Sequence, residues 1–257
     1  MDAVRISKTA RYGNIDIPTA VHNTWQTAGR GKNSVLPHHT VFLAQSNATA
    51  TTSDSLRNQR SVPGAWTVYS DATGSTEQSL AWANTALLKC DSNDRAVFTQ
   101  DSGNELTHFK DDFSVEIWCH PTAETATSDY GAMLTGWSGN SLDFYFTIRN
   151  GNNVKTQFAH YNGTSPATSV GEHTRGDIVV LNQWNHLAVA KIATRIYLYY
   201  NGQLINQTAS PASLSIQGDN PSSIGIGYWG NQSGRYYTGY VDGVRICNGQ
   251  SAYTPNF

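Results

Sequence analysis

The chain has 257 residues, a formal net charge of -2 and only 14% charged residues, well under the roughly 25% of an average soluble domain. Asn, Ser, Thr, Gly and Tyr take their place, and without a Lys/Arg run neither a nucleic-acid footprint nor an electrostatic membrane anchor is expected. No window reaches the apolar length of a membrane span, and the amino terminus lacks the basic-then-apolar order of a signal peptide, so the expectation is a soluble chain without membrane insertion.

The first residues, Met1-Asp-Ala-Val-Arg-Ile-Ser-Lys-Thr-Ala-Arg-Tyr12, nearly repeat Val241-Asp-Gly-Val-Arg-Ile-Cys-Asn-Gly-Gln-Ser-Ala-Tyr253, while the long stretch between them occurs once. The simplest account is one complete domain preceded by the tail of another. Val4, Arg5 and Ile6 then belong to an exit strand that needs a ladder, supplied by a preceding domain or by the sheet edge of a neighbouring subunit, and they are the candidate assembly residues. Thr9 to Leu36 contains Pro18, Gly29 and Gly31, is followed by Pro37, has little periodicity and reads as a linker. The expected division is an N-terminal segment over 1–35 and one main domain over 36–257.

Within that domain, His39 to Ala44 and Thr85 to Cys90 read as strands, and the Thr/Ser-rich stretch from Asn47 to Arg60 as a long surface loop. Phe113 to His120 puts Phe113, Val115, Ile117 and Cys119 on one face and Trp118 on the other, with Pro121 as the stop. Asp143 to Tyr161 reads as a hairpin around Asn150-Gly151, with Phe144, Phe146 and Ile148 on the buried face and Val154, Thr156 and Phe158 joining them after the turn. Ile178 to Leu181, Trp184 to Ile192, Arg195 to Gly202, Ser223 to Tyr228 and Tyr237 to Ile246 complete the strand candidates. Asn201-Gly202 supplies a tight turn. No stretch of a dozen residues holds a helical stripe. The fold class is therefore all-β, a two-sheet antiparallel sandwich with jelly-roll wiring, and its core should hold Phe113, Val115, Ile117, Val189, Leu198, Ile226 and Val244.

Five short motifs carry a family resemblance. Asp112-Phe-Ser-Val-Glu-Ile-Trp118, Trp184-Asn-His-Leu-Ala-Val189, Tyr197-Leu-Tyr-Tyr-Asn-Gly202, Ile224-Gly-Ile-Gly227 and Gly239-Tyr-Val-Asp-Gly-Val-Arg-Ile246 resemble, in order and spacing, the concanavalin A-like, laminin G-like jelly-roll domains. His39-Thr-Val-Phe-Leu43 is similar to that family's entry strand, so the resemblance runs from about Leu36 to Phe257. The ending, Asp-Gly-Val-Arg-Ile and then Ala-Tyr-Thr-Pro-Asn-Phe257, most resembles versions found in phage virion proteins, where such domains occur in tandem. The resemblance implies a core role for Trp118 and Trp184 beside Val189 and Leu198, and a strand-end polar pair of Asp242 with Arg245. It does not fix an activity, since the fold hosts lectins, glycosidases and structural modules.

The chemistry expected of an enzyme is mostly missing. Glucanases of the superfamily resemble one another in a strand bearing three alternating acids, and a retaining mechanism needs two carboxylates about 5 Å apart. Here Asp112-Phe-Ser-Val-Glu116 has Ser114 at the middle acid position, so Asp112 reads as a turn residue and Glu116 as one half of a salt bridge on a sheet face. The chain has no Gly-x-Ser-x-Gly elbow, and His22, His38, His39, His108, His120, His160, His173 and His186 are scattered without a partnering motif. Cys90, Cys119 and Cys247 sit singly in apolar or strand-like runs, which reads as buried thiols and not as a disulfide or zinc framework. Asp91-Ser-Asn-Asp94 has oxygen ligands but lacks the glycine and terminal glutamate of a calcium loop, so it reads as a turn. No cofactor is expected; calcium is the one ion that the resemblance leaves open, without a ligand set. The sequons at Asn47, Asn162, Asn206 and Asn231 are expected from composition alone.

Sugars are held by aromatic rings against their apolar faces and by amides and carboxylates on their hydroxyls. Tyr130, Trp137, Tyr161, Tyr228, Trp229, Asn231, Arg235 and Tyr236 lie in or beside expected loops and have that chemistry, with Trp137, Tyr161, Trp229, Asn231 and Tyr236 as the candidate carbohydrate-binding residues. The alternative for Trp137 and Trp229 is to cap the core at strand ends. The leading expectation is a non-enzymatic module of a virion surface protein (fibre, tail or capsid decoration) assembling with other virion proteins or copies of itself, with a cell-surface glycan as its external ligand. A secreted lectin module and a glycoside hydrolase are the competing readings.

Overall fold

The computed structural model describes residues 40–44, 58–61, 64–70, 72–80, 86–91, 94–101, 106, 112–123, 130–138, 141–149, 155–161, 169–176, 179–209, 222–227, 236–248, 251 and 253. These form sixteen strands and, among the described residues, no helix. In chain order they are β1 (Thr40–Ala44), β2 (Asn58–Ser61), β3 (Gly64–Tyr69), β4 (Thr73–Ser75), β5 (Ala86–Cys90), β6 (Arg95–Gln100), β7 (Phe113–Pro121) and β8 (Tyr130–Ser138). They continue with β9 (Ser141–Arg149), β10 (Lys155–Tyr161), β11 (Ser169–Gly176), β12 (Asn185–Ile192), β13 (Arg195–Tyr200), β14 (Gln203–Ala209), β15 (Ser222–Ile226) and β16 (Gly239–Asn248).

Two antiparallel sheets result. One has nine strands, in the order β14-β13-β12-β7-β16-β1-β2, with β5 also paired to β16 and β4 to β5; the other has seven, in the order β11-β10-β9-β8-β15-β6-β3. The last strand, β16, lies inside the larger sheet between β7 and β1, so the end of the domain closes on its beginning. Strand alternation sends one face of each sheet inward. Phe113, Val115, Ile117, Val189, Leu198, Ile226 and Val244 are all fully buried, as expected, beside Phe42, Phe98 and Phe146. Asn201 and Gly202 take φ of 46° and 80°, the positive values a two-residue hairpin turn requires.

Several expectations need correction. Trp118 and Trp184 are half-buried and lie outside the core: with Ile117 turned inward, Trp118 must face outward, where it pairs with His186. Trp184 precedes β12 and donates its Nε1–H to the carbonyl of Ser79 at 3.1 Å. Asp242 and Arg245 sit within β16 and not at its end, and Arg245 is paired with Glu116. The stretch toward Leu181 is no strand over its described residues; Asn185 clasps it through Val180, accepting from the amide at 3.1 Å and donating to the carbonyl at 2.9 Å. The loop expected up to Arg60 ends earlier, because Asn58–Ser61 pairs with β1.

Candidate functional site

The outer face of the seven-stranded sheet follows from alternation. Phe98, Leu134, Ile224 and Ile226 point inward, so Thr99, Thr135, Ser223 and Gly225 point outward. Register places Trp137, Ser223, Thr99 and Ala65 in one row across β8, β15, β6 and β3. The next row holds Tyr145, Thr135, Gly225, Val97 and Thr67.

Gly225 makes the arrangement possible. A Cβ at that position would stand 2.7 Å from Cη2 and 2.8 Å from Cζ3 of Trp137, and 2.9 Å from Oγ1 of Thr135. The six-membered ring of the indole therefore lies against the glycine backbone, and Trp137 stays half-buried. Beside it, the Ser223 hydroxyl hydrogen-bonds that of Thr99 at 3.2 Å, and Thr99, Ala65 and Thr67 are exposed. None of the nine residues in these two rows carries a charge. An indole beside neutral hydroxyls suits a neutral polyol: C–H groups pack on the ring and hydroxyls exchange hydrogen bonds with the exposed Thr99 and Thr67, while Ser223 and Thr135 are buried beneath them.

The outer face of the nine-stranded sheet is different. Arg245 Nε lies 2.5 Å from Glu116 Oε1, and His186 Nε2 lies 3.4 Å from Glu116 Oε2, all three side chains being buried. The imidazole also packs on Trp118 with ring centroids 4.7 Å apart. Asp112 accepts from the Ala193 amide at 2.7 Å and lies 3.7 Å from the Lys191 ammonium. Both acids of the Asp112–Glu116 stretch are thus engaged structurally, as the sequence suggests. Nearby, Glu77 takes the Tyr240 hydroxyl as a donor and holds Lys89 at 2.8 Å. The Lys89 hydrogen bond, followed by that of Tyr240, draws the Glu77 carboxyl below its ordinary range, and the same contact raises Lys89.

The candidate residues do not form one cluster. Trp137 lies within β8 and not in a loop. Tyr236 is half-buried and bridges to Ala132, five residues back along β8, which at about 3.3 Å per residue is roughly 16 Å from Trp137. Tyr161 ends β10 opposite Ser169, at the same end of the sheet as Trp137, and only its backbone is described. Trp229 and Asn231 lie outside the described residues, as do Tyr228, Arg235, Val4, Arg5 and Ile6. Tyr130 opens β8, its side chain also outside them. Sequence reasoning missed Gly225, Ser223, Thr135 and Thr99. A glycine inside an alternating strand such as Ser223-Ile-Gly-Ile226 was the available signal, since it marks a close approach. Asp91 and Asp94 form a turn, with the Asp94 amide donating to the Asp91 carbonyl at 2.9 Å. Among the described residues no group of three or more His, Cys, Asp or Glu is placed to hold a metal ion.

The sequence matches a family model described as the concanavalin A-like lectin/glucanases superfamily over residues 91–252. No curated protein sequence matches the chain. Similar solved structures include the receptor binding domain of botulinum neurotoxin C/D mosaic serotype, 14% identical with a TM-score of 0.58 over 82% of this chain and 48% of that one. A botulinum neurotoxin type C structure is 13% identical, with a TM-score of 0.56 over 83% of this chain and 49% of that one. Domain 4 of AbnA, a GH43 extracellular arabinanase from Geobacillus stearothermophilus, is 15% identical, with a TM-score of 0.51 over 82% of this chain and 94% of that one. The chain spans about half the length of the neurotoxin chains it matches. At these identities the likeness is one of fold.

Proposed function

We propose that this chain, which belongs to the concanavalin A-like lectin/glucanases superfamily, is a non-enzymatic carbohydrate-binding module whose site is the Trp137 platform. The observation that carries the reading is the indole laid over Gly225 beside the Ser223 and Thr99 hydroxyls. The structural neighbours support it: cell entry of botulinum neurotoxin type C is dependent upon interaction with two ganglioside molecules, and the arabinanase domain is in complex with arabinotriose. The non-enzymatic part rests on Ser114 at the middle acid position and on Glu116 held between Arg245 and His186. A glycan array with the 257-residue chain tests the proposal. Binding that weakens in Trp137→Ala supports it, whereas no bound glycan, or binding indifferent to Trp137, removes the site. Oligosaccharide cleavage that disappears in Glu116→Gln would replace the binding module with a hydrolase.

The proposal extends to a virion surface, as a fibre, tail or capsid decoration component with other virion proteins or copies of itself as partners. It is supported by the resemblance of the chain's ending, Asp242 to Ile246 and Ala252 to Phe257, to phage virion versions of the domain. Recovery of the chain in purified particles would bear this out; secretion without particles would favour a lectin.

A further inference from the structure

Among the described strands, the larger sheet ends in β14, β2 and β4 and the smaller in β11 and β3. An edge strand offers backbone donors and acceptors to any second strand, and natural sheets blunt it with a bulge, a charge or short length. Four of these five edges are blunted. β14, β2, β4 and β11 each show a register shift in a ladder with a neighbouring strand. β4 has three residues and β2 four, with Arg60 on β2, while Glu172 and Arg175 stand on β11.

The fifth edge has none of these devices. β3, Gly64-Ala-Trp-Thr-Val-Tyr69, runs in unbroken register along β6, from Gly64 opposite Gln100 to Tyr69 opposite Arg95. It contains no charge and no proline, and every residue but the half-buried Trp66 is exposed. Val68 and Tyr69, both strong strand formers, are 44% and 39% exposed. Val68 shares the inner face with Trp66, which packs on Phe42 and Phe98 with ring centroids 6.0 and 5.5 Å away, so an apolar surface continues past the core to the edge. On the outer face the Arg95 guanidinium of β6 lies over the Tyr69 ring, 4.2 Å from its centroid, and fixes that ring.

We propose that β3 pairs antiparallel with β3 of a second copy of this chain, joining two seven-stranded sheets edge to edge. A two-fold axis normal to the sheet keeps the inner faces on one side, so opposite residues must share a face. Centring that axis on Thr67 sets Thr67 opposite Thr67, Trp66 opposite Val68 and Ala65 opposite Tyr69. Each is a favourable cross-strand pair: two β-branched hydroxyls, an aromatic ring on a β-branched side chain, and a small residue leaving room for a large one. Moving the axis to Trp66 would set Val68 opposite Gly64 and lose that packing. The strand is thus complementary to itself, and its neutrality lets two copies approach without repulsion. The pairing does not depend on the glycan site. If the Trp137 reading holds, the two Trp137 rows come to lie on one face, seven strand spacings or roughly 34 Å apart, and a long or repeated glycan is held at two points.

Sedimentation velocity and hydrogen exchange on the 257-residue chain, without glycan, test the pairing. The weight-average mass should rise toward twice that of one chain as concentration is raised through the micromolar range, and protection of 64–69 should rise with it. Val68→Lys places an ammonium in the pairing at an exposed position and should leave a folded monomer. Thr67→Glu and Thr67→Lys should each be monomeric because like charges meet on the axis, whereas an equimolar mixture of the two should dimerise. A chain that stays monomeric at every concentration leaves the edge to a strand of another protein and overturns the proposal. So does a dimer that survives in Val68→Lys or gains no protection over 64–69, since its interface lies elsewhere. Glycan binding separates the two readings. A dimer that binds no glycan removes the Trp137 site and leaves the pairing standing, while weaker retention of Val68→Lys on an immobilised glycan, with unchanged affinity for the soluble oligosaccharide, supports both.

Discussion

The guanidinium of Arg245 on β16 meets the carboxylate of Glu116 on the adjacent strand β7 at 2.5 Å, and each side chain is only 3% exposed. A buried pair of this kind is held in a balance: its attraction offsets the desolvation of both ions, so losing one partner costs more than losing both. Arg245→Ala should therefore destabilise by about 3–5 kcal/mol, because Glu116 keeps its buried charge. The double replacement Glu116→Leu with Arg245→Met should recover most of that loss. Urea unfolding of the three proteins checks it, and a single variant within about 0.5 kcal/mol of wild type would show the pair to be solvated.

The thiols should be chemically silent. Cys90, Cys119 and Cys247 are all buried and outside any disulfide, and burial pushes the first two far above the ordinary thiol range. The thiolate is the reacting form. Ellman's reagent should find no reactive group in the native chain and three after unfolding. Rapid native labelling of any one would contradict this.

His120 should contribute to acid sensitivity. It is 5% exposed, packs against the rings of Trp184 and Tyr240 with centroids 5.5 and 5.6 Å away, and its pKa is lowered chiefly by desolvation. In the unfolded chain the imidazole takes a proton below about pH 6.5, while in the folded chain it resists until lower pH. The unfolded state then binds more protons, so this part of the stability is present above about pH 6.5 and is lost as pH falls through the folded value. Urea midpoints at pH 7 and pH 5 should differ less in His120→Gln than in wild type. An equal or larger difference in the variant would exclude the contribution.

How much the sequence discloses depends on what each strand packs against. β7 was legible because Phe113, Val115, Ile117 and Cys119 alternate without interruption; Trp118 was misplaced because the family resemblance implied a core role while the same alternation argued for the outer face, and alternation prevailed. β8 was missed because its small residues hide the period. Gly136 is there because a Cβ would stand 2.2 Å from the Phe144 ring, a reason visible only once β9 lies alongside. β3 was missed because nearly every side chain on it is exposed, leaving Trp66 alone to mark the inner face. Trp137 was picked for its chemistry, but its row continues through Ser223, Thr99 and Ala65, on three strands that are distant in sequence, and its two hydroxyls come from the first two of them.

Ile117 tests the core assignment directly. It is fully buried in the middle of β7, between β12 and β16. Ile117→Ala removes three carbons from a packed interior and should cost about 2–5 kcal/mol, part of it for the cavity left behind. A loss under about 1 kcal/mol in thermal or urea unfolding would place that face outside the core.

The Trp137–Gly225 contact offers the sharpest test of the binding site, because the two residues can be separated by their effects. Trp137→Ala removes a half-buried ring and should weaken the glycan found by the array by up to about tenfold, the scale of an aromatic contact worth about 0.5–1.5 kcal/mol, while leaving the sandwich folded. Gly225→Ala keeps the indole but places a methyl group where Cη2 and Cζ3 now lie, at 2.7 and 2.8 Å, so the ring must lift off the sheet. Binding should fall in this variant too, although residue 225 offers a ligand nothing to bond. If the glycine acts through the indole, its substitution should have no further effect on affinity in the Trp137→Ala background, a non-additivity that a double-mutant cycle by titration calorimetry measures. Additive losses would mean that the ligand contacts Gly225 itself, and the platform geometry would have to be abandoned.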